Sequence, residues 1–341
     1  MQKEETQQLK GIAILMMLWA HLFTDIDMLR QCHWLLPFFG DKPLAYALIR
    51  ICSCCVPIYI LLGGYGMASV YRQQQGNPMH NGRRALSLMV NFWVVFLLFI
   101  PLGCIVNPQQ YPGSLLVLLL NIAGIDYSYN GAWWFLLPYV LLTLCAAPFI
   151  RCLMQNTRRA DLLSLVLLLV TFVAGYLGKD IPIADGTPLR IVYTASSFVY
   201  MLLPFAVGIL FVKYGVMELL RRRLSTCSTS LLLLLLAALC LVKMLLGGSA
   251  LLNLPFILLV LPLLLALPKP GWLRTTLQYF GHHSTNMWLT HCFFIYNIFG
   301  TLIYRLSYPL LIFAVLIVVS LLSSYIVQLL FEPLRRRIRK A

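Results

Sequence analysis

Long apolar runs, one after another and separated by short polar stretches, constrain this chain more than any other feature. Spans at roughly 9–28, 44–70, 85–106, 131–150, 162–178, 193–212, 231–246, 250–267, 284–304 and 308–331 come near the 17–25 residues a helix needs to cross a bilayer. In hydrocarbon every backbone N–H and C=O must be paired within the protein, which leaves helices or closed barrels. Leu/Val/Ile runs without period-2 alternation do not suit a barrel. The expected fold is therefore all-α, a polytopic integral membrane helix bundle of about ten transmembrane helices. No internal repeat or low-complexity linker divides the chain, so 1–341 reads as a single transmembrane domain.

Charge sets the orientation. Only 11% of residues are charged, against roughly a quarter in a soluble domain. The net charge of +15 lies mainly between the apolar runs, where it writes membrane orientation and excludes a nucleic-acid partner. The stretch 114–125 is too short to cross at about 1.5 Å per residue. If it does not cross and the N-terminus is cytoplasmic, the clusters Arg72/Arg83/Arg84, Arg151/Arg158/Arg159, Arg221/Arg222/Arg223 and the tail from Arg335 all fall inside. If it crossed, every later cluster would move outside. Residues 107–130 are therefore expected to be outer or re-entrant, with both termini cytoplasmic. No small-residue cleavage site follows the first run, so no removable signal peptide is expected.

The ten cysteines are scattered, mostly inside apolar runs, and form no CxxC pair. Neither a disulfide framework nor a metal site follows from such a pattern.

Two histidines stand out because each lies well inside an apolar stretch, His21 in LKGIAILMMLWAHLF and His291 in HSTNMWLTHCFF. An ionisable ring at bilayer depth is costly and marks a functional site by default. Lys10 lies eleven residues before His21, or three helical turns plus about 20°, so the two share a face about 17 Å apart in rise. Asp25, one turn beyond His21, can reach the ring. A carboxylate there fixes the tautomer and raises basicity, as suits a general base. Asp25 and Asp27 can equally end the helix in water, and Lys10 can snorkel to lipid phosphate. Ser284 and His291 lie nearly on one face, with His282 and His283 at the inner, solvated boundary. His291 is placed to meet His21 at similar depth, or to bond a neighbouring helix.

Arg50 sits just inside the outer end of its span. It either holds an acceptor, pairs with Asp25 or Asp27, or snorkels outward. Arg83 and Arg84 enter the third span from the cytoplasm, suited to phosphates or to anionic lipid. Trp133 and Trp134 in NGAWWFLL suit an outer interfacial belt. Gly63, Gly64 and Gly66 suit close helix packing or approach of a ligand.

These segments, in this order, resemble the membrane-bound acyltransferase-3 family of the sugar O-acetyltransferase type, which includes fucose 4-O-acetylase-like and surface-polysaccharide O-acyltransferases. The first helix keeps the family's spacing of a basic residue, ten residues and His, with Lys10 where arginine is usual. VPIYILLGGYGMASVYR looks like the second-helix signature, NGAWWFLLPYVL like the Trp-Phe-Leu segment, and FGHHSTNMWLTH like the late motif, with Trp288 in the usual tyrosine position. Glu332-Pro333 followed by RRR matches the close of many members. The resemblance covers about 9 to 335.

It implies an integral membrane O-acyltransferase moving an acyl group, most simply acetyl, from cytoplasmic acyl-CoA to a hydroxyl of a cell-envelope glycan or lipid-linked sugar. His21 would be general base or transient acyl carrier, with Asp25 and His291 beside it. Lys10, Arg83 and Arg84 would hold the donor; Arg50, Ser284 and Trp133 would serve the acceptor or the structure. Acyl-CoA is then a donor substrate, with no permanently bound cofactor and no metal. The setting is a bacterial inner membrane, with lipid, donor and glycan as partners. The competing reading is a proton-coupled transporter or flippase of a polysaccharide precursor, in which buried His and Asp relay protons. Such folds often carry inverted repeats, and none is evident.

Overall fold

The computed structural model describes residues 1–25, 29, 32, 38–39, 42–74, 80–155, 157–179, 181 and 187–340. The expected end of the first span at 26–28, with Asp27, lies outside them. Ten longer helices are present among the described residues: α1 (Lys3–Leu22), α2 (Cys55–Gln73), α3 (Asn81–Val106), α4 (Leu136–Gln155), α5 (Arg158–Gly178), α6 (Thr187–Lys213), α7 (Thr229–Leu246), α8 (Asn253–Ala266), α9 (Gly271–Cys292) and α10 (Pro309–Lys340). Among the described residues seven segments are long and apolar enough to cross a membrane, carried by α2 with the turns before it, α3, α4, α5, α6, α7 and α10. The all-α polytopic expectation holds. A two-residue ladder, Phe38–Phe39 against Lys42–Pro43, is the one strand pair described.

Local chemistry explains the boundaries. α1 starts six residues earlier than expected, where the Gln2 N–H donates to Glu5 Oε2 at 2.7 Å and closes a capping box. Thr157 and Ser228 cap α5 and α7, accepting from Ala160 and Leu231 N–H at 3.3 and 3.2 Å. The expected span 44–70 is interrupted: short turns Leu44–Ala47 and Ile49–Cys52 precede α2. Pro57 has no N–H to give the Ser53 carbonyl, and Asn253 Nδ2 supplies that bond from α8 at 3.1 Å. The ninth span is also corrected. Its helix starts at Gly271, not 284, because polarity does not prevent helix formation where the face turns inward. It ends at Cys292, followed by a π-turn over Phe293–Asn297 and a short helix Gly300–Tyr304.

Residues 107–130 hold one helix, Leu115–Ile122, of eight residues. Its length of about 12 Å is under half the hydrocarbon thickness. The segment folds on itself, with the Tyr111 hydroxyl donating to the Tyr129 carbonyl at 2.7 Å and Asn121 Nδ2 to Ser128 Oγ at 3.0 Å.

One apolar cluster runs from Leu9 to Val327. Helices α5 and α7 are peripheral and present Leu163, Val166, Val170, Leu234 and Leu245 outward, an apolar exterior that lipid would cover. α1 packs most extensively against α9, and α2 against α6. Reciprocal glycines make both approaches possible. A Cβ on Gly11 would lie 2.0 Å from the Leu277 carbonyl oxygen, and one on Gly281 2.0 Å from that of Gln7. Gly64 meets the Phe205 carbonyl and Gly208 that of Leu61 in the same way, so Gly64 is a packing residue. From their glycine contact α1 and α9 run parallel, since His21 and His291, both further along, meet in turn.

Candidate active site

His21 and His291 each lie ten residues beyond the contact glycine of their own helix, about 15 Å of rise. Their rings meet edge to face, with centroids 4.9 Å apart and planes at 64°. His291 is fully buried, while His21 is partly accessible. His291 Nδ1 is 2.8 Å from the Trp288 carbonyl and 3.1 Å from that of Met287. Carbonyl oxygens only accept, so Nδ1 carries the ring proton and Nε2 keeps its lone pair. The Cys292 thiol, 3.4 Å away, donates to Nε2. The cysteine spacing carries no sign of this trio, because Cys292 gains its meaning from a ring more than 250 positions away in the chain.

A clamp from the segment before α4 holds this part of α9. Asn130 Nδ2 and Trp133 Nε1 both donate to the Leu289 carbonyl, at 3.2 and 2.9 Å. Trp288 Nε1 donates back to the Ala132 carbonyl at 3.0 Å. Trp133 is buried among Phe92, Phe96 and Phe293, not in an interfacial belt. Its indole N–H explains why: it has a carbonyl partner inside the protein and does not need water. Trp134 is partly exposed, with Lys179 Nζ 5.1 Å from its ring centre.

The far end of α1 departs from expectation. The helix stops at Leu22, and the Tyr296 and Tyr304 hydroxyls donate to the His21 and Leu22 carbonyls, the latter at 2.8 Å. Those bonds take up carbonyls a longer helix would have used. Asp25 therefore lies in the exposed segment beyond the helix, and the one-turn relation to His21 is lost. Arg50 Nη1 donates to the Met244 carbonyl at 2.5 Å, which ties it to the end of α7.

At the other end of α1 and α9 a cavity of about 670 Å³ collects Lys10, Arg84, Arg335, Arg336, Ser284 and Asn286. Arg83 lines an adjoining cavity of about 440 Å³ that shares Arg84, Ser87 and Arg335 with it. Lys10, Arg83 and Arg84 are thus brought together with the basic tail, which the sequence had marked only as a charge cluster on the inner side. Inside, Asn91 Nδ2 donates to Asn286 Oδ1 at 2.7 Å, and Asn286 Nδ2 to the Ser324 carbonyl at 3.3 Å. Ser284 Oγ donates to the Gly281 carbonyl at 2.8 Å. Asn91 Oδ1 and Gln7 Oε1, on the same wall, are buried acceptors with no hydrogen-bond partner among the described residues. Asn286 is five residues before His291, about 8 Å of rise. His282 is exposed as expected, but His283 is buried. Its Nδ1 lies 2.9 Å from Ser324 Oγ, and its ring packs between Tyr279 and Tyr325.

Basic cavity, polar wall and paired imidazoles thus follow one another along two parallel helices. That arrangement can bind a polyanion at one end and move a proton at the other. No curated protein and no solved structure matches this chain. A family model described as an acyltransferase domain matches residues 6–329, nearly the whole length. The chain belongs to the acyltransferase-3 family and is a multi-pass membrane acyltransferase.

Proposed function

We propose that the protein is an O-acyltransferase of a bacterial inner membrane, moving an acetyl group from cytoplasmic acetyl-CoA to a hydroxyl of a cell-envelope glycan or lipid-linked sugar. The observation that carries this reading is the alignment just described: a cavity with Lys10, Arg84, Arg335 and Arg336 below, and His21 facing His291 above. The basic residues take the phosphates of the donor. The partnerless acceptors Asn91 Oδ1 and Gln7 Oε1 suit the amide N–H groups of a pantetheine arm. The rise of about 17 Å from Lys10 to His21 favours a donor threaded into the bundle over reaction at the surface.

His21, the accessible imidazole, takes the proton of the acceptor hydroxyl. The oxygen attacks the thioester carbon, the C–S bond breaks, and the departing thiolate recovers a proton from His21. His291, whose ring faces His21 and whose Nε2 can exchange the Cys292 thiol for the imidazolium N–H, stabilises the imidazolium, a part the sequence had given to Asp25. A transient acyl-His21 is the other route by which these groups perform the transfer.

The test uses membranes containing wild type or His21→Ala at equal expression, acetyl-labelled CoA, and lipid and glycan extract from the host. Label moving to an alkali-labile ester with wild type, and lost in the variant, is the expected result. Equal transfer by both removes His21 from the chemistry. No transfer with any acyl donor, in an extract holding the native acceptor, favours the transporter reading.

A further inference from the structure

We propose that His21, His291 and Cys292 form a binding site for a soft divalent cation of the zinc class. One donor atom from each lies within 4.8 Å of the others, two from imidazoles and one from a thiol. This is the ligand chemistry such ions prefer. One edge of the site already has its bound dimension: His291 Nε2 and Cys292 Sγ are 3.4 Å apart. Zn–N and Zn–S bonds at a tetrahedral angle put those atoms about 3.6 Å apart. The His21 nitrogen closes the remaining distance by rotation of a partly accessible side chain.

The surroundings of His291 are an independent argument. A metal-binding histidine almost always donates its other ring N–H to a carbonyl or carboxylate, which fixes the tautomer and aims the lone pair. His291 does so at Nδ1, to the Trp288 and Met287 carbonyls, and Leu289 between Trp288 and His291 is itself clamped by Trp133 and Asn130. Nε2 is therefore preset as a ligand atom. On binding, the Cys292 thiol gives up its proton, and the thiolate replaces a hydrogen bond with a metal bond. Three protein ligands leave a fourth tetrahedral position open.

The cation would hold the lone pairs of both imidazoles. Where the pair serves acyl transfer as proposed above, an occupied site is an inhibited enzyme, and zinc and the hydroxyl acceptor compete for His21. That consequence rests on the proposed function; the binding itself does not.

The experiment is a titration of the tag-free, detergent-purified full chain with Co²⁺, followed by displacement with Zn²⁺. Wild type should bind one ion per chain and show the thiolate-to-cobalt absorption of a cysteine ligand. Cys292→Ser should lose that band and bind Zn²⁺ at least about tenfold more weakly, the scale of loss seen when even the surroundings of a metal site are altered. Cys292→Ser exchanges one atom, so it keeps the test valid if His291→Ala fails to fold. Absence of saturable binding in wild type, or persistence of the thiolate band and unchanged affinity in Cys292→Ser, overturns the proposal. Binding without inhibition leaves the site standing and removes the histidines from the reaction.

Discussion

His21 and His291 stand at the same height because each lies ten residues past a glycine, and those glycines, Gly11 and Gly281, let α1 and α9 touch backbone to backbone. The pair is thus placed by packing near the middle of the two helices, about 15 Å of rise from the histidines. A Cβ at either glycine would overlap a carbonyl oxygen at 2.0 Å, so Gly11→Ala or Gly281→Ala forces the helices apart. Each should cost about 1–3 kcal/mol of stability, the usual penalty for overpacking, and reduce transfer. Gly66→Ala meets nothing within 4 Å and should be neutral. Thermal melting of purified variants, paired with the labelled-acetyl assay, checks both.

If the two imidazoles act as one unit, their losses do not add. His21→Ala and His291→Ala should each reduce kcat by about 10²–10⁴-fold, the usual contribution of a general base. The double variant should be little worse than either. Asp25→Asn should cost less than loss of either ring, since α1 ends at Leu22 and the group that faces His21 is His291. Multiplicative losses in the double variant would mean separate roles.

The basic cavity predicts a difference between donors. Arg84→Ala should raise KM for acetyl-CoA about tenfold or more, the scale expected for loss of a charge-assisted hydrogen bond to phosphate. It should barely change kinetics with a short acetyl thioester that lacks phosphates. Equal losses with both donors would place Arg84 in the structure and not in phosphate binding.

The clamp on Leu289 predicts a split between rate and affinity. Trp133→Phe keeps the aromatic packing but removes one of two donors to the Leu289 carbonyl, costing about 1 kcal/mol. Adding Asn130→Ala removes the other donor as well. That double variant should lose about 1–3 kcal/mol more, because the buried carbonyl is then unpaired. kcat should fall while KM for the donor stays put. A KM effect of equal size would show that the clamp shapes the donor cavity instead.

The apolar runs and their basic punctuation made the bundle legible, since hydropathy and charge are properties of composition along the chain. The face shared by Lys10 and His21, and the meeting of His21 with His291, were legible because helical rise and angle are fixed. What sequence hid depended on partners far away. Asp25 looked one turn from His21 until Tyr296 and Tyr304 satisfied the carbonyls that end α1. Trp133 looked interfacial because an indole N–H wants a polar partner, and only the fold reveals that partner to be Leu289. Cys292 looked like one more apolar cysteine. His283 looked solvated because Ser324, Tyr279 and Tyr325 were not yet beside it. Helical stretches such as 271–283 interrupt their apolar residues with Arg, Thr, Gln and His and so carry no continuous apolar run, which is why the expected ninth span began too late.

The shortness of Leu115–Ile122 has a consequence far from where it lies. Seven of the longer described helices, α2 to α8, lie between α1 and α9, and those two point the same way only if an even number of reversals falls between them. Were those eight residues extended to a full crossing, every later helix would be turned end for end. His291 would then lie at the opposite end of the bundle from His21, and no side-chain change could reunite them. A surface segment that touches neither histidine thus fixes the parity on which their meeting depends, and lengthening it by a dozen leucines would be a mutation of the active site.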